Sequence, residues 1–167
     1  MSQFKKISCY DLDKNPFDLI GKKWALLTAQ NGEEKSTMTI SWGGVGVLWN
    51  KPCAFIFVRP QRNTRKIIDT SNSFSLSFFD ESYKEKLSYC GKFSSKNVDK
   101  FEQCGFDIEI ENQIPYIKQA ELVFCCKKLF KQQFSPQSFI DKDLLSNYPQ
   151  EDYHFLYVGE IEAALIK

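Results

Sequence analysis

The sequence predicts a mainly β (α+β) protein, an antiparallel barrel with short helices inserted between its strands. Three observations lead there. Strand-like segments recur along the chain, about six or seven of them, while helical patterns are short and follow only some. A parallel doubly wound sheet needs a helix after each strand, and that alternation is missing. Phe74-Ser75-Leu76-Ser77-Phe78 alternates without a break, the pattern of a strand with one face in a core.

Taken in order, Asn15-Pro16-Phe17 starts a helical turn, with Asn15 as cap and Pro16 in the first turn, and Gly21 ends it. Trp24 to Ala29 reads as a strand followed by an Asn31-Gly32 turn. Thr37 to Trp42 is a second strand, rich in Thr and Ile. Ala54 to Arg59 is a third, apolar almost throughout and expected to be buried on both faces. A helix from about Thr64 to Thr70 precedes the alternating strand. Tyr83, Leu87 and Cys90 stand at helical spacing within Ser82 to Cys90, and Val98, Phe101 and Cys104 repeat that spacing up to a stop at Gly105. Phe106 to Ile110, Ala120 to Phe130 and Phe155 to Ile166 are the late strands, with one or two helical turns over Asp141 to Asn147.

The bulk properties narrow the function classes. The 167 residues carry a net charge of +1, without a block of like charge, which argues against affinity won by neutralising many phosphates. No nucleic-acid partner is expected. Neither a secretory leader nor a run of about 20 apolar residues is visible, so no membrane span is expected. The six cysteines form no C-x-x-C pair and sit mostly in apolar segments, which fits a reduced, cytoplasmic protein with no metal ligand set. Linkers and repeats are absent, and residues 1–167 read as one continuous domain.

Arginine placement carries the strongest chemical signal. Of 22 basic residues only Arg59, Arg62 and Arg65 are arginine, all within seven positions. The guanidinium fork suits bidentate contact with phosphate, and the segment leads from a buried strand into a helix start, where free N–H groups favour an anion. A solvated loop of surface ion pairs explains the same residues equally well. In Thr37-Met38-Thr39-Ile40-Ser41-Trp42 the alternate residues Thr37, Thr39 and Ser41 put hydroxyls on one face, ending at a large ring that could shield a heteroaromatic ligand. The competing view is an edge strand with a wet hydroxyl face and a core tryptophan. Gly43, Gly44 and Gly46 lie between two strands with no helix behind them, so they make no dinucleotide fingerprint. His154, the only histidine, is a candidate proton donor or a partner for Asp152. Glu33-Glu34 and Glu151-Asp152 read as exposed turns.

Taken together, several segments resemble the flavin reductase-like, FMN-binding split-barrel proteins, including the flavoredoxins. They are Thr37-Met38-Thr39-Ile40-Ser41-Trp42-Gly43, Val58-Arg59-Pro60-Gln61-Arg62-Asn63-Thr64 and Ser73 to Phe78, followed by Tyr89-Cys90-Gly91, Val98-Asp99-Lys100-Phe101 and Tyr157-Val158-Gly159-Glu160-Ile161. Asn15-Pro16 and Leu19-Ile20-Gly21 fit too, so the similarity spans nearly the whole chain. The resemblance implies an antiparallel split β-barrel, a homodimer, and non-covalent FMN at or near the dimer interface. It implies that the ring lies along Met38, Thr39, Ile40, Ser41 and Trp42, with the phosphate at Arg59, Pro60, Arg62 and Thr64. It implies, too, that Ser94, Ser95 and Lys96 approach the phosphate, from a loop that lacks the glycine usual in relatives. The implied activity is NAD(P)H-dependent flavin reduction, with NADH or NADPH as reductant, a downstream electron acceptor, and His154 near the open ring face. A flavoredoxin-like electron carrier without nicotinamide activity is the nearest alternative. A pyridoxamine-phosphate-oxidase-like or haem-binding split barrel and an interaction domain without cofactor are the others.

Overall fold

The structure, a computed structural model, describes residues 4–167. Seven strands follow one another across a single antiparallel sheet. In chain order the first eight are β1 (Lys5–Ile7), β2 (Ala25–Asn31), β3 (Glu34–Ile40), β4 (Gly43–Leu48), β5 (Lys51–Val58), β6 (Ser73–Phe78), β7 (Ile108–Glu111) and β8 (Ile114–Ile117). The two longest come last, β9 (Leu122–Gln133) and β10 (Phe155–Ile166). The hydrogen-bonded path runs β3-β2-β6-β9-β10-β5-β4, with β1 added to β10 and β7-β8 forming a separate hairpin.

This order has a geometric consequence. The two ends of the path, β3 and β4, are joined in sequence by only Ser41 and Trp42. The three Cα steps from Ile40 to Gly43 span at most about 11 Å, so the sheet must curl until its ends nearly meet. It closes without β3–β4 hydrogen bonds, and the result is a split barrel. The cavity described below opens at that split.

Alternation along the strands sorts the core onto two faces. Leu27, Met38, Ile56, Phe74, Leu76, Phe124 and Tyr157 belong to one buried cluster, together with Ile67 and Ile68. The opposite face gives Leu26, Val123, Cys125 and Leu165 to a second cluster with Leu87, Cys90, Phe101 and Phe106. The helices that serve these clusters are α1 (Asn63–Thr70), α2 (Lys84–Lys92) and α3 (Lys100–Cys104). The register irregularity at Ile161/Ala163, where Glu162 is the extra residue, resets the phase of β10, so that Tyr157 and Ile161 join the first cluster and Ala163 the second. At Gly159 a Cβ would stand 2.6 Å from Phe74 Cζ, so glycine is what lets the Phe74 ring lie against the β10 backbone.

The structure corrects several sequence expectations. Ten strands are present among the described residues, not six or seven. Gly43, Gly44 and Gly46 are themselves in a strand, β4, which pairs with β5 from Gly43↔Ile56 to Leu48↔Lys51. Trp42 lies beyond β3, not in it, and it is half exposed rather than a core residue. The turn after Pro16 does not stop at Gly21 but runs as a wide π-type turn over Asp18–Lys23. The hairpin partner β8 was also unexpected; it covers the sheet, with Ser75 Oγ donating to the Pro115 carbonyl at 2.6 Å. All six cysteines are free thiols, five of them buried. No helix among the described residues is long and apolar enough to cross a membrane.

Candidate functional site

A cleft of about 300 Å³ opens at the split. Its floor is the end of β3 and the bend after it, Met38 to Trp42. Phe57 and Arg59 at the end of β5 form one wall, Arg62 and Gly91 another, and His154 closes the top. Six of the predicted site residues, Met38, Thr39, Ile40, Ser41, Trp42 and His154, therefore meet two of the three arginines in one cavity.

The floor offers backbone rather than hydroxyls. The Thr37 hydroxyl shares a 3.0 Å hydrogen bond with Thr28 and donates to the Leu27 carbonyl at 3.2 Å, while the Thr39 hydroxyl donates to the Leu87 carbonyl of α2. Two of the three hydroxyls expected to face a ligand are thus used inside the fold, which leaves only that of Ser41 to the cleft. The Thr37 carbonyl points away from β2, because Lys100 and Ser95 donate to it at 2.8 and 3.4 Å. The alternation of an antiparallel ladder gives Thr39 the same orientation, so its amide and carbonyl lie on the free edge of β3, toward the cleft. Trp42, 52% exposed, stands at the mouth with its ring centroid 5.4 Å from that of His154.

The three arginines separate into three roles. Arg65 turns away: its Nε donates to the Pro60 carbonyl and it pairs with Asp69 at 2.6 Å. Arg59 pairs with Asp152 at 2.6 Å and donates to the Asn147 carbonyl, which ties β5 to the segment 134–154. Asp152 is therefore a counter-ion, not an exposed turn residue, and it does not touch His154. Hydrogen bonds from Gln61 and Arg59 hold its carboxyl below the usual carboxylate range. Arg62 has carbonyls alone, Gly91 at 2.9 Å and Cys90 at 3.5 Å, and burial pulls its pKa down.

Lys100, which carried no site signal in the sequence, stands beside it. Only 3% of Lys100 is exposed, and its ammonium donates at 2.8 Å to both the Thr37 and Cys90 carbonyls. Burial, and next the Arg62 charge, pull its pKa down to about 8, with Cys90 and Cys104 opposing. Among the described residues neither cation has a carboxylate within ion-pair distance. A buried ammonium and a half-buried guanidinium sharing one carbonyl and lacking a counter-charge are costly, and an anion is what offsets that cost. Hydroxyls complete the setting: Ser36 bonds Thr64 and Ser95, each at 2.8 Å. No side chain caps the N-terminus of α1, and its first turn holds no acid. Of the other predicted phosphate contacts, Pro60 only shapes the turn and Ser94 caps the Lys96 amide, while Lys96 lines a neighbouring cleft with Lys35, a cleft that Ser95 and Lys100 also border.

His154 is buried, and its Nδ1 lies 2.8 Å from the Tyr148 hydroxyl. Burial, reinforced by Arg59 and opposed by Asp152, pulls its pKa down to about 4. At neutral pH it is an uncharged imidazole, so it has no imidazolium proton to give.

Comparisons with known proteins give the family and the fold. The chain matches the Flavin reductase like domain over residues 17–167. It belongs to that family. Among solved structures, flavoredoxin from Methanosarcina acetivorans is 25% identical, with a TM-score of 0.70 over 87% of this chain and 68% of that one. The FMN-binding domain of a flavin reductases-like enzyme from Shewanella baltica OS155 is 15% identical, with a TM-score of 0.71 over 98% and 77%. The Pseudomonas fluorescens 2-nitrobenzoate 2-nitroreductase NbaA is 22% identical, with a TM-score of 0.66 over 90% and 70%. Comparison with curated proteins finds no match. This flavin reductase-like chain is thus an FMN-related oxidoreductase by family and a split barrel by fold.

Proposed function

We propose that the chain binds FMN non-covalently in the cleft and works as an NAD(P)H:flavin oxidoreductase. The observation that carries this is the Arg62–Lys100 pair without a counter-charge, with half-buried Arg62 lining the cleft and buried Lys100 joined to it through the Cys90 carbonyl. The donor set fits a phosphate: two cations, with the Ser36, Thr64 and Ser95 hydroxyls within reach of one another. When bound, the flavin supplies hydride acceptance and release, so the protein need not contribute a strong acid or base. Its own residues bind and orient. Arg62 and Lys100 hold the phosphate, the free edge of Thr39 addresses the polar rim of the ring, and Trp42 limits access from water. Met38 and Ile40, buried beneath the strand, keep that edge rigid. Arg59 acts mainly by fixing segment 134–154 through Asp152.

NADH or NADPH is the proposed reductant, and a downstream acceptor receives the electrons. A homodimer is the proposed assembly. It is supported by a second, largely apolar cleft of about 430 Å³ on the far side of Trp42, lined by Pro16, Phe17, Ile20 and Val45. Phe17 there is 87% exposed, and Ile140 on segment 134–154 is 98% exposed. The chain is proposed to act as one domain in the cytoplasm. Similarity to a flavoredoxin keeps an electron-carrier role as the second reading. Anaerobic stopped-flow mixing of the FMN-loaded protein with NADH and with NADPH separates the two. Bleaching of the flavin band by either supports the reductase, and a band untouched by both removes it.

A further inference from the structure

The cleft's one histidine is held by a residue that no part of the proposed function yet uses. Segment 134–154 packs on its own aromatic rings, with Tyr148 against Phe139 at 5.7 Å and against Tyr153 at 5.0 Å. Its base is closed by the Phe134 amide donating to the His154 carbonyl at 2.9 Å. Arg59 clamps the same segment through Asp152 and Asn147, with its guanidinium 5.1 Å above the Tyr148 ring. Tyr148 is therefore a fixed point, and its hydroxyl meets His154 Nδ1 at 2.8 Å.

The direction of that hydrogen bond follows from what surrounds it. The Tyr148 hydroxyl has no other hydrogen-bond partner among the described residues, so its proton goes to Nδ1. The groups facing the ring are Arg59, Asp152, Trp42, Phe134 and Tyr148. Asp152 is turned to Arg59 and Gln61, so no carboxylate competes for the imidazole. A neutral imidazole that accepts at Nδ1 carries its hydrogen on Nε2. Nε2 has no partner among the described residues and is not among their atoms sealed from solvent, and the ring lines the cleft beside Trp42.

We propose that Tyr148 is a positioning residue: its hydroxyl holds His154 in the Nε2–H form, so that the cleft presents one fixed, uncharged N–H donor. The partner it suits is a neutral acceptor, such as a carbonyl oxygen on a flat ring lying against Trp42. This rests on the cleft being the flavin site, and the test separates the two ideas. Because His154 is the only histidine, a nitrogen-15 spectrum of the full chain reports one ring. In the wild-type protein the expected spectrum has protonated Nε2 and a hydrogen-bonded, unprotonated Nδ1, unchanged between pH 6 and 8. In Tyr148→Phe the Nδ1 resonance shifts to that of a nitrogen without a donor, and an Nδ1–H population emerges. Adding FMN to the wild-type protein shifts the Nε2 proton.

A wild-type ring protonated on Nδ1, or a Tyr148→Phe spectrum identical at both nitrogens, overturns the proposal. So does FMN that binds, by its absorbance, while neither it nor added NADH moves the Nε2 proton. FMN that does not bind at all sinks the flavin site instead, and the tautomer measurements still decide whether the ring is held. The wild-type spectrum is decisive even if Tyr148→Phe does not fold.

Discussion

Replacing Lys100 by methionine should make the empty protein more stable while weakening its grip on FMN, an outcome opposite to that of an ordinary core substitution. Lys100 is buried beside Arg62, and its pKa falls from 10.5 to about 8. At 1.36 kcal/mol per unit, holding the ammonium charged in the folded chain costs about 3 kcal/mol relative to water. Methionine has similar length and no charge, so it removes that cost, less whatever the Thr37 and Cys90 carbonyls lose as acceptors. The net gain at pH 7 is expected to be about 1–3 kcal/mol. The pH dependence follows by linkage. The folded-state pKa lies below the unfolded one, so between about pH 8 and 10.5 the unfolded chain keeps a proton that the folded chain has released. Wild-type stability therefore rises with pH across that window, and the cost is present in full below it. Lys100→Met should flatten this rise. Ligand affinity moves the other way, by about 1.5–3 kcal/mol for a lost charge-assisted contact, or roughly 10- to 150-fold in Kd. Urea denaturation of the empty protein at pH 7 and pH 10, with fluorescence titration of FMN, gives all three quantities. A variant that loses stability while binding FMN as before would show that Lys100 supports the fold and not an anion.

The neighbouring residues give further expectations. Arg62→Ala should lower FMN affinity by about 1.5–3 kcal/mol, whereas Arg65→Ala, which breaks only the Asp69 and Pro60 contacts, should leave affinity unchanged. Parallel titrations check this, and equal losses would blur the division among the arginines. For His154 the sign is the same as for a carboxylate with a depressed pKa, stability falling as pH falls, and its window is mildly acidic. The unfolded ring takes a proton below about 6.5 while the folded ring resists to about 4, so stability is full above 6.5 and falls toward 4. About 2 kcal/mol should be gone at pH 5, and His154→Gln should remove that part of the slope in urea melts at pH 7.5 and 5. Gly159→Ala would put a Cβ within 2.9 Å of both Phe74 and Cys126 and should cost about 1–3 kcal/mol or more, read as a lowered Tm.

Much of this architecture is legible before any coordinates, because the sheet's central strands obey simple periodicity. Phe74 to Phe78 alternates in sequence and pairs with both β2 and β9 in the structure. The arginine segment at a strand-to-helix turn is likewise visible as a candidate anion site. What stays hidden has definite causes. Gly43, Gly44 and Gly46 suppress the strand signal of β4, since glycine is rare in strands, yet β4 needs little side-chain packing as the outer member beside β5. Pro115 hides β8 in the same way. Lys100 sits in a short, charged helix where a lysine ordinarily reads as solvated; only the three-dimensional approach of Thr37 and Cys90 shows that it is buried. The hydroxyls of Thr37 and Thr39 mislead for the converse reason. Alternation places them on one face, but α2 and β2 claim them before a ligand can.

The most direct test of the central claim compares FMN with riboflavin, which has the same ring and no phosphate, by fluorescence titration of the wild-type protein. If Arg62 and Lys100 form the phosphate site, FMN binds at least about tenfold more tightly than riboflavin, the least a charge-assisted contact supplies, and the gap narrows in Lys100→Met. Equal affinities for the two ligands in the wild-type protein would contradict the account.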